Sequence, residues 1–80
     1  MTDTELDSVR KITPAIASKY LQRLHTTDDI RIGLQMNICP FGFAEKKSGS
    51  SKWTYHIDNA RLKAYRRGEF PLMGAPDAGV

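Results

Sequence analysis

Residues 39–57 hold the pattern that most limits how this chain folds, because two short apolar arms flank a polar tip. Aromatic and polar residues alternate from Phe41 onwards and again up to Ile57, and the tip between them reads Ser48-Gly-Ser-Ser51. A period of two on both sides of a Ser/Gly turn is typical of an antiparallel β-hairpin. The sequence therefore predicts two strands joined at this tip.

The hydrophobic pattern also predicts the register of the hairpin. Pairing Phe43 with Tyr55 leaves one apolar face to pack on helices, namely Phe41, Phe43, Trp53, Tyr55 and Ile57. The other face would point into solvent and carries Ala44, Lys46, Lys52, Thr54 and His56. A slip of one residue would mix the two faces, so burial favours this register.

One helix is predicted from Pro14 to Leu24. Thr13 can cap its first N–H groups, and proline at the first helical position loses no hydrogen bond. Ala17, Leu21 and Leu24 recur at helical spacing, so we expect them to be buried.

A second helix is predicted from Thr26 or Thr27 up to Pro40. Its apolar stripe is formed by Ile30, Leu34 and Ile38. Gly33 lies beside that stripe, and its poor helix propensity predicts a close approach to the first helix.

The third predicted helix follows the hairpin. Asp58 is its expected N-cap, Leu62 and Tyr65 point inwards, and Gly68 ends it. This gives one α+β domain over residues 12–68, ordered helix, turn, helix, hairpin, helix. Residues 1–11 are polar and predict a flexible arm, and the tail 69–80 has no periodicity and predicts disorder.

The charge of the chain is unevenly distributed. All 12 lysines and arginines lie between residues 10 and 67, where only four acidic residues are found, although the net charge is only +3. A basic middle indicates a polyanionic partner, and a merely solvated basic surface is an equally good interpretation.

Nothing in the sequence predicts a catalytic or metal site. Cys39 is the only cysteine, so no internal disulfide can form, which fits a reducing cytoplasm. His25 and His56 are far from Cys39 in sequence and lack the spacing of metal ligands. No nucleophile-base set or glycine-rich phosphate loop is present, so we expect neither an enzyme nor a cofactor.

Three stretches resemble the small winged-helix proteins of the excisionase and MerR-like group, which occur in phages and integrative elements of Gram-positive bacteria. Thr13-Pro-Ala-Ile-Ala-Ser-Lys-Tyr-Leu21 is similar to the first helix of that group, and Ile30-Arg-Ile-Gly-Leu34 to the start of its recognition helix. Pro40-Phe-Gly-Phe43, Trp53–Ile57 and the helix that follows resemble its wing and third helix. The segment 22–28 departs from the group, because it is longer than the usual turn and lacks a glycine.

The resemblance implies a winged helix-turn-helix fold whose second helix enters the major groove of double-stranded DNA. Candidate base-reading residues on that helix are Thr27, Arg31 and Gln35. Candidate wing contacts are Lys46, Lys47, Ser50, Lys52 and Thr54, and flanking backbone contacts are Lys19, Arg23, Arg61 and Arg66.

Each candidate also has a structural interpretation. The wing lysines suit protection of a strand edge from aggregation, and Arg31 suits a solvated helix face. Trp53 and Tyr55 are expected in the core rather than stacked on bases. Asp28 and Asp29 lie where phosphates would approach the second helix, and they favour a protein partner instead.

We therefore expect an excisionase-like protein of a phage or mobile element that binds DNA and directs recombination in the cytoplasm of its bacterial host. A small transcriptional regulator is the alternative that uses the same DNA surface. A phage accessory protein that inhibits a host protein is the alternative from another class. An integrase or neighbouring copies would bind through Phe70, Leu72 and Met73, and the chain would be a monomer in solution.

Overall fold

The computed structural model describes residues 1–22 and 24–73, which form four helices and one two-stranded sheet. The helices are α1 (Asp3–Asp7), α2 (Pro14–Tyr20), α3 (Thr27–Gln35) and α4 (Asn59–Arg66). An antiparallel hairpin of β1 (Gly42–Lys46) and β2 (Trp53–Ile57) lies between α3 and α4 in the chain. The α+β class is confirmed, and α2, α3, the hairpin and α4 follow one another in the predicted order.

The N-terminal segment is folded, so the prediction of a flexible arm over residues 1–11 is wrong. Thr2 and Glu5 form a capping box at the start of α1: the Thr2 hydroxyl accepts from the Glu5 N–H at 3.1 Å, and the Glu5 carboxylate accepts from the Thr2 N–H at 2.9 Å. Leu6 is fully buried in the core. One leucine among polar neighbours gives no periodic signal, which is why the pattern missed this short helix.

The N-caps of α2 and α3 are among those that the sequence predicts. Thr13 Oγ1 accepts a hydrogen bond from the Ile16 N–H at 3.2 Å, with Pro14 at the first helical position. Thr26 Oγ1 accepts from the Asp29 N–H at 3.1 Å. These caps depend only on residues within one turn, so local sequence is enough to predict them.

Both helices end sooner than their predicted apolar stripes. α2 ends at Tyr20, and Leu24 is exposed. α3 ends at Gln35, and Asn37 then adopts a left-handed backbone with φ of 59°, so Ile38 leaves the helix and is half exposed. The predicted burial of Leu24 and Ile38 is wrong, because helical spacing places a residue on the stripe only while the helix continues.

The hairpin forms in the predicted segment but in another register. Phe43 pairs with His56 and Ala44 with Tyr55, so the predicted pairing of Phe43 with Tyr55 is wrong by one residue. The face towards α3 and the core carries Gly42, Ala44, Lys46, Trp53, Tyr55 and Ile57. The outer face carries Phe43, Glu45, Thr54 and His56.

Gly42 and Phe41 explain the observed register. A Cβ at residue 42 would clash with the His56 carbonyl oxygen and lie 3.0 Å from Ile57 Cα, so only glycine fits against the β2 backbone; Leu34 Cδ2 of α3 would lie 3.1 Å away. Phe41 is fully buried just before β1 begins. It enters the core from a loop, which shifts the alternation of β1 by one residue and turns Phe43 outwards.

α4 matches the prediction closely. Asp58 caps it by accepting from the Arg61 N–H at 2.8 Å, and Leu62 and Tyr65 are buried. Gly68 follows the helix with φ of 85°, a left-handed conformation that glycine adopts at low cost.

Residues 69–73, here called the C-terminal strap, fold back onto the core. Met73 is buried, and its N–H donates to the Tyr65 hydroxyl at 2.7 Å. A Cβ at residue 33 would lie within 3.0 Å of Met73 Sδ, so Gly33 makes room for Met73, a neighbour that the sequence did not predict. The prediction of a disordered tail is therefore wrong for the strap, and its remainder, 74–80, lies outside the described residues.

A single hydrophobic core includes residues of every helix and of the strap, and partly buried residues of the hairpin pack against it. Its largest fully buried side chains are Tyr20, Tyr65, Phe41, Leu6, Ile30, Leu34 and Leu62. Within residues 1–22 and 24–73, no helix has the length and apolar character needed to cross a membrane.

Candidate nucleic-acid interface

The first group of candidate residues lies on α3. Thr27 is the first residue of the helix and is half-buried. Arg31 is exposed, and its Nη1 lies 3.2 Å from Asp28 Oδ1, one turn earlier on the same helix. Because that ion pair is exposed, it contributes little to stability, and the guanidinium can exchange Asp28 for another anion at low cost.

Gln35 connects α3 to the hairpin. Its Nε2 donates to the Tyr55 hydroxyl at 2.7 Å, so this amide is held by the protein itself. Arg31 lies one turn before Gln35 and shares its side of the helix. The Gln35–Tyr55 bond therefore ties β2 to the side of α3 on which Arg31 lies.

The same face of the hairpin continues to a basic tip. Lys46 and Trp53 are cross-strand partners, and Lys46 Nζ lies 5.6 Å from the centre of the Trp53 ring, a cation–π distance. Lys47 and Lys52 are exposed beside the turn that joins the strands. Arg31 therefore lies one helical turn from the Gln35–Tyr55 bond, and Lys46 lies on the same hairpin face as Tyr55, two residues after its partner Ala44.

Ser50 shapes the turn itself. Its N–H donates to the Lys47 carbonyl at 3.0 Å, and its hydroxyl accepts from the Lys52 N–H at 3.1 Å. Gly49 beside it has φ of 81°. Ser50 therefore holds Lys47 and Lys52 in a defined turn.

Thr54 is separated from Lys46 by the observed register. It lies on the outer face opposite Glu45, whereas Lys46 lies on the face towards α3. The prediction that Lys46, Thr54 and His56 share one solvent face is therefore wrong. Glu45 places a carboxylate on the outer face, where its Oε1 lies 3.0 Å from His56 Nε2.

The flanking cations have different surroundings. Lys19 is exposed in the last turn of α2, and Arg61 is exposed in the first turn of α4. Arg66 Nη1 donates to the Met1 carbonyl at 3.1 Å, and its guanidinium carbon lies 4.6 Å from the Tyr20 ring centre, so this arginine holds the N-terminal segment. Arg23 lies outside the described residues.

Acidic residues of α1 are paired with α4. Lys63 Nζ donates to Asp7 Oδ1 at 2.6 Å, and this bond lowers the pKa of Asp7 and raises that of Lys63. Asp3 accepts from the Tyr20 hydroxyl and lies 3.8 Å from Arg66. The acidic N-terminus therefore neutralises part of α4 within the protein, which composition alone does not reveal.

His25 belongs to a partly buried hydrogen-bond chain. Its Nε2 lies 2.5 Å from the Tyr65 hydroxyl, which also accepts from the Met73 N–H. Since the Tyr65 oxygen accepts from the Met73 N–H, the Tyr65 hydroxyl is free to donate its own proton to Nε2 of a neutral His25. Burial lowers the pKa of His25, although the Asp29 carboxylate opposes that effect.

The described residues offer little for redox or metal chemistry. Burial raises the pKa of the Cys39 thiol to about 11, so it is protonated and a poor nucleophile at neutral pH. In residues 1–22 and 24–73, no three His, Cys, Asp or Glu side chains converge as metal ligands would.

Sequence reasoning missed two exposed apolar features. Phe43 stacks on His56 across the hairpin, with ring centres 4.7 Å apart, on the outer face. Ile32 and Met36 of α3 are also exposed. Ile32 and Met36 are spaced i, i+4, a second apolar row on α3 beside the buried one, and this spacing is a signal that the sequence does contain.

Comparison of the chain with protein-family models, with characterised proteins and with solved structures gave no match.

Proposed function

We propose that the chain is a winged-helix protein that binds double-stranded DNA with α3 as its recognition helix and the hairpin as its wing. The observation that carries this proposal is the hydrogen bond between Gln35 and Tyr55. It fixes the Arg31 side of α3 next to the hairpin face that carries Lys46. A helix beside a basic two-stranded ribbon is a combination that can place one element in the major groove and one on the backbone.

The residues divide into base-reading and phosphate-binding roles. The Arg31 guanidinium would leave Asp28 and donate two hydrogen bonds to a guanine or to a phosphate. Lys46, Lys47 and Lys52 would bind phosphates, which supplies affinity and salt dependence but little sequence information. Gln35, which the sequence predicts to read adenine, is assigned here to positioning because Tyr55 already accepts from its amide.

Within this proposal, an excisionase-like role in directing recombination is our first candidate, with a transcriptional regulator as the alternative. Both use the same DNA surface, and the DNA site distinguishes them. A duplex from an attachment site would bind most tightly in the first case, and a promoter duplex in the second.

The test is fluorescence anisotropy of labelled duplexes over a salt series, with a generic duplex as reference. Arg31→Ala and the double variant Lys46→Ala/Lys47→Ala should weaken binding, and each lost phosphate contact should reduce the slope of log K against log salt by about 1. Arg67→Ala is the matched control, because it removes an equal charge from a residue paired with Glu69 outside the proposed site.

Three results are informative. Tighter, salt-sensitive binding to one natural duplex supports sequence readout, and equal binding to all duplexes supports backbone contact alone. Failure to bind any duplex at low salt, or equal losses in the Arg31 and Arg67 variants, would refute the proposal.

A further inference from the structure

α3 exposes a row of apolar side chains beside its buried row, away from Arg31. Ile32 is 52% exposed and Met36, one turn later, is 64% exposed. Ile38 after the helix is 49% exposed, and Leu72 of the C-terminal strap is 52% exposed. We call Ile32, Met36, Ile38 and Leu72 the apolar flank. Single exposed apolar residues are ordinary, but several around one helix end of a small protein indicate a binding surface.

The apolar flank borders a defined cavity. An open pocket of 310 Å³ is lined by Ile32 and Ile38, with Gly33 and Met73 also among its walls. Its volume is at the lower end of the range for ligand pockets, about 300–1,000 Å³, so it suits one or two inserted side chains. Met73 is fixed there by its backbone bond to Tyr65, so one wall of the pocket is tied to the core.

The pocket contains one acidic side chain, Asp29. Asp28, its neighbour on α3, is paired with Arg31 and is not part of the lining. The other titratable group in the pocket lining is His25, and burial lowers its pKa. The pocket therefore presents the Asp29 side chain beside apolar walls.

We infer that the apolar flank binds a helix of another protein, one with a ridge of apolar side chains edged by lysine or arginine. An apolar side chain of that helix would fill the pocket between Ile32 and Ile38, and a cation beside it would pair with Asp29. Apolar anchors in a pocket with charges at the rim are the usual energetic arrangement of such interfaces.

A second copy of this chain is a poorer occupant. Two-fold pairing brings the same patch of both copies together, so Asp29 would face its own equivalent. DNA is also a poor occupant, because its phosphates would meet Asp29 and apolar side chains. The inference does not depend on the proposed DNA binding, since it uses the other side of α3.

The test uses two synthetic amphipathic helices of one apolar pattern, each about five turns long. One is built from leucine and lysine, the other from leucine and glutamate. Binding is measured by titration into the full ¹⁵N-labelled chain, which also reports where the peptide binds. We expect the lysine peptide to shift the amides around Ile32 and Ile38, and to bind about tenfold or more tightly than the glutamate peptide.

Variants distinguish binding at this site from non-specific binding of the peptide to the protein surface. Ile32→Ser/Ile38→Ser should weaken lysine-peptide binding about tenfold or more, and Asp29→Asn should reduce the preference for lysine over glutamate. Phe43→Ser is the matched control, because Phe43 is 50% exposed on the outer face of the hairpin and its loss should leave binding unchanged.

Several outcomes would overturn the inference. They are equal affinity for both peptides, unchanged binding in the Ile32/Ile38 variant, or shifts confined to other surfaces. Dimerisation of the free chain that Ile32→Ser abolishes would assign the flank to a second copy instead, and duplex DNA shifting the same amides would assign it to nucleic acid.

Discussion

Replacing Gly33 by alanine should destabilise the protein, although the same change stabilises most helices. Gly33 lies inside α3, where alanine is favoured over glycine by about 1 kcal/mol. Here the new Cβ would come within 3.0 Å of Met73 Sδ, and it would also lie 3.1 Å from Met73 Cε and 3.2 Å from Cγ. These three atoms belong to the flexible end of one side chain, so Met73 can relieve the contacts either by changing its rotamer or by leaving its site.

The gain in helix propensity and the loss of Met73 burial have opposite signs and similar size. Removing a buried methionine side chain from its site costs about 1.5–3 kcal/mol of apolar burial. After the gain of about 1 kcal/mol in helix propensity, Gly33→Ala should lower the free energy of unfolding by up to about 2 kcal/mol, and by less where a new Met73 rotamer keeps part of the burial. In a Met73→Ala background the clash is gone, so the same change should raise it by about 1 kcal/mol.

Urea unfolding followed by helical circular dichroism measures both differences, and the change of sign between the two backgrounds is the decisive result. If Gly33→Ala stabilises the unmodified chain as much as it stabilises the Met73→Ala chain, Met73 does not occupy the surface of α3 in solution. That result would also remove one wall from the pocket of the apolar flank, so it bears on the partner site as well as on the strap.

Three further predictions concern other parts of the fold. Leu6→Ala should lower the free energy of unfolding by about 2–5 kcal/mol in the same assay, whereas a loose N-terminal arm would give no change. The free energy of unfolding should fall as the pH decreases below 6.5, because the unfolded chain protonates His25 more readily than the folded one does. His25→Asn should reduce this pH dependence, and an unchanged pH dependence would show that His25 is not its cause. In a Cys39→Ala background, Phe43→Cys/His56→Cys should form a disulfide on oxidation, because residues 43 and 56 are direct cross-strand partners. If Phe43→Cys/Tyr55→Cys forms the disulfide instead, the predicted register is correct.

The parts of this fold that local chemistry determines could be predicted from the sequence. Thr13, Thr26 and Asp58 each cap a helix through the N–H group three residues later, so the signal and its effect lie in one turn. The hairpin segment was also predictable from its alternation. α1 and the C-terminal strap were not, because each depends on one apolar side chain, Leu6 or Met73, that finds its site only in the assembled core.

The register shows how a small tertiary effect changes a candidate site. The alternation of β1 cannot reveal whether Phe41 belongs to the strand or to the loop before it, whereas the close approach of Gly42 to the β2 backbone at His56 and Ile57 fits only the observed pairing. Compared with the predicted register, the observed one turns Phe43 outwards and brings Lys46 onto the face next to α3, where Trp53 was already expected. Lys46 lies on the face next to α3 only in this register, so the proposed DNA surface depends on the close approach of Gly42 to the β2 backbone, which no motif in the sequence encodes.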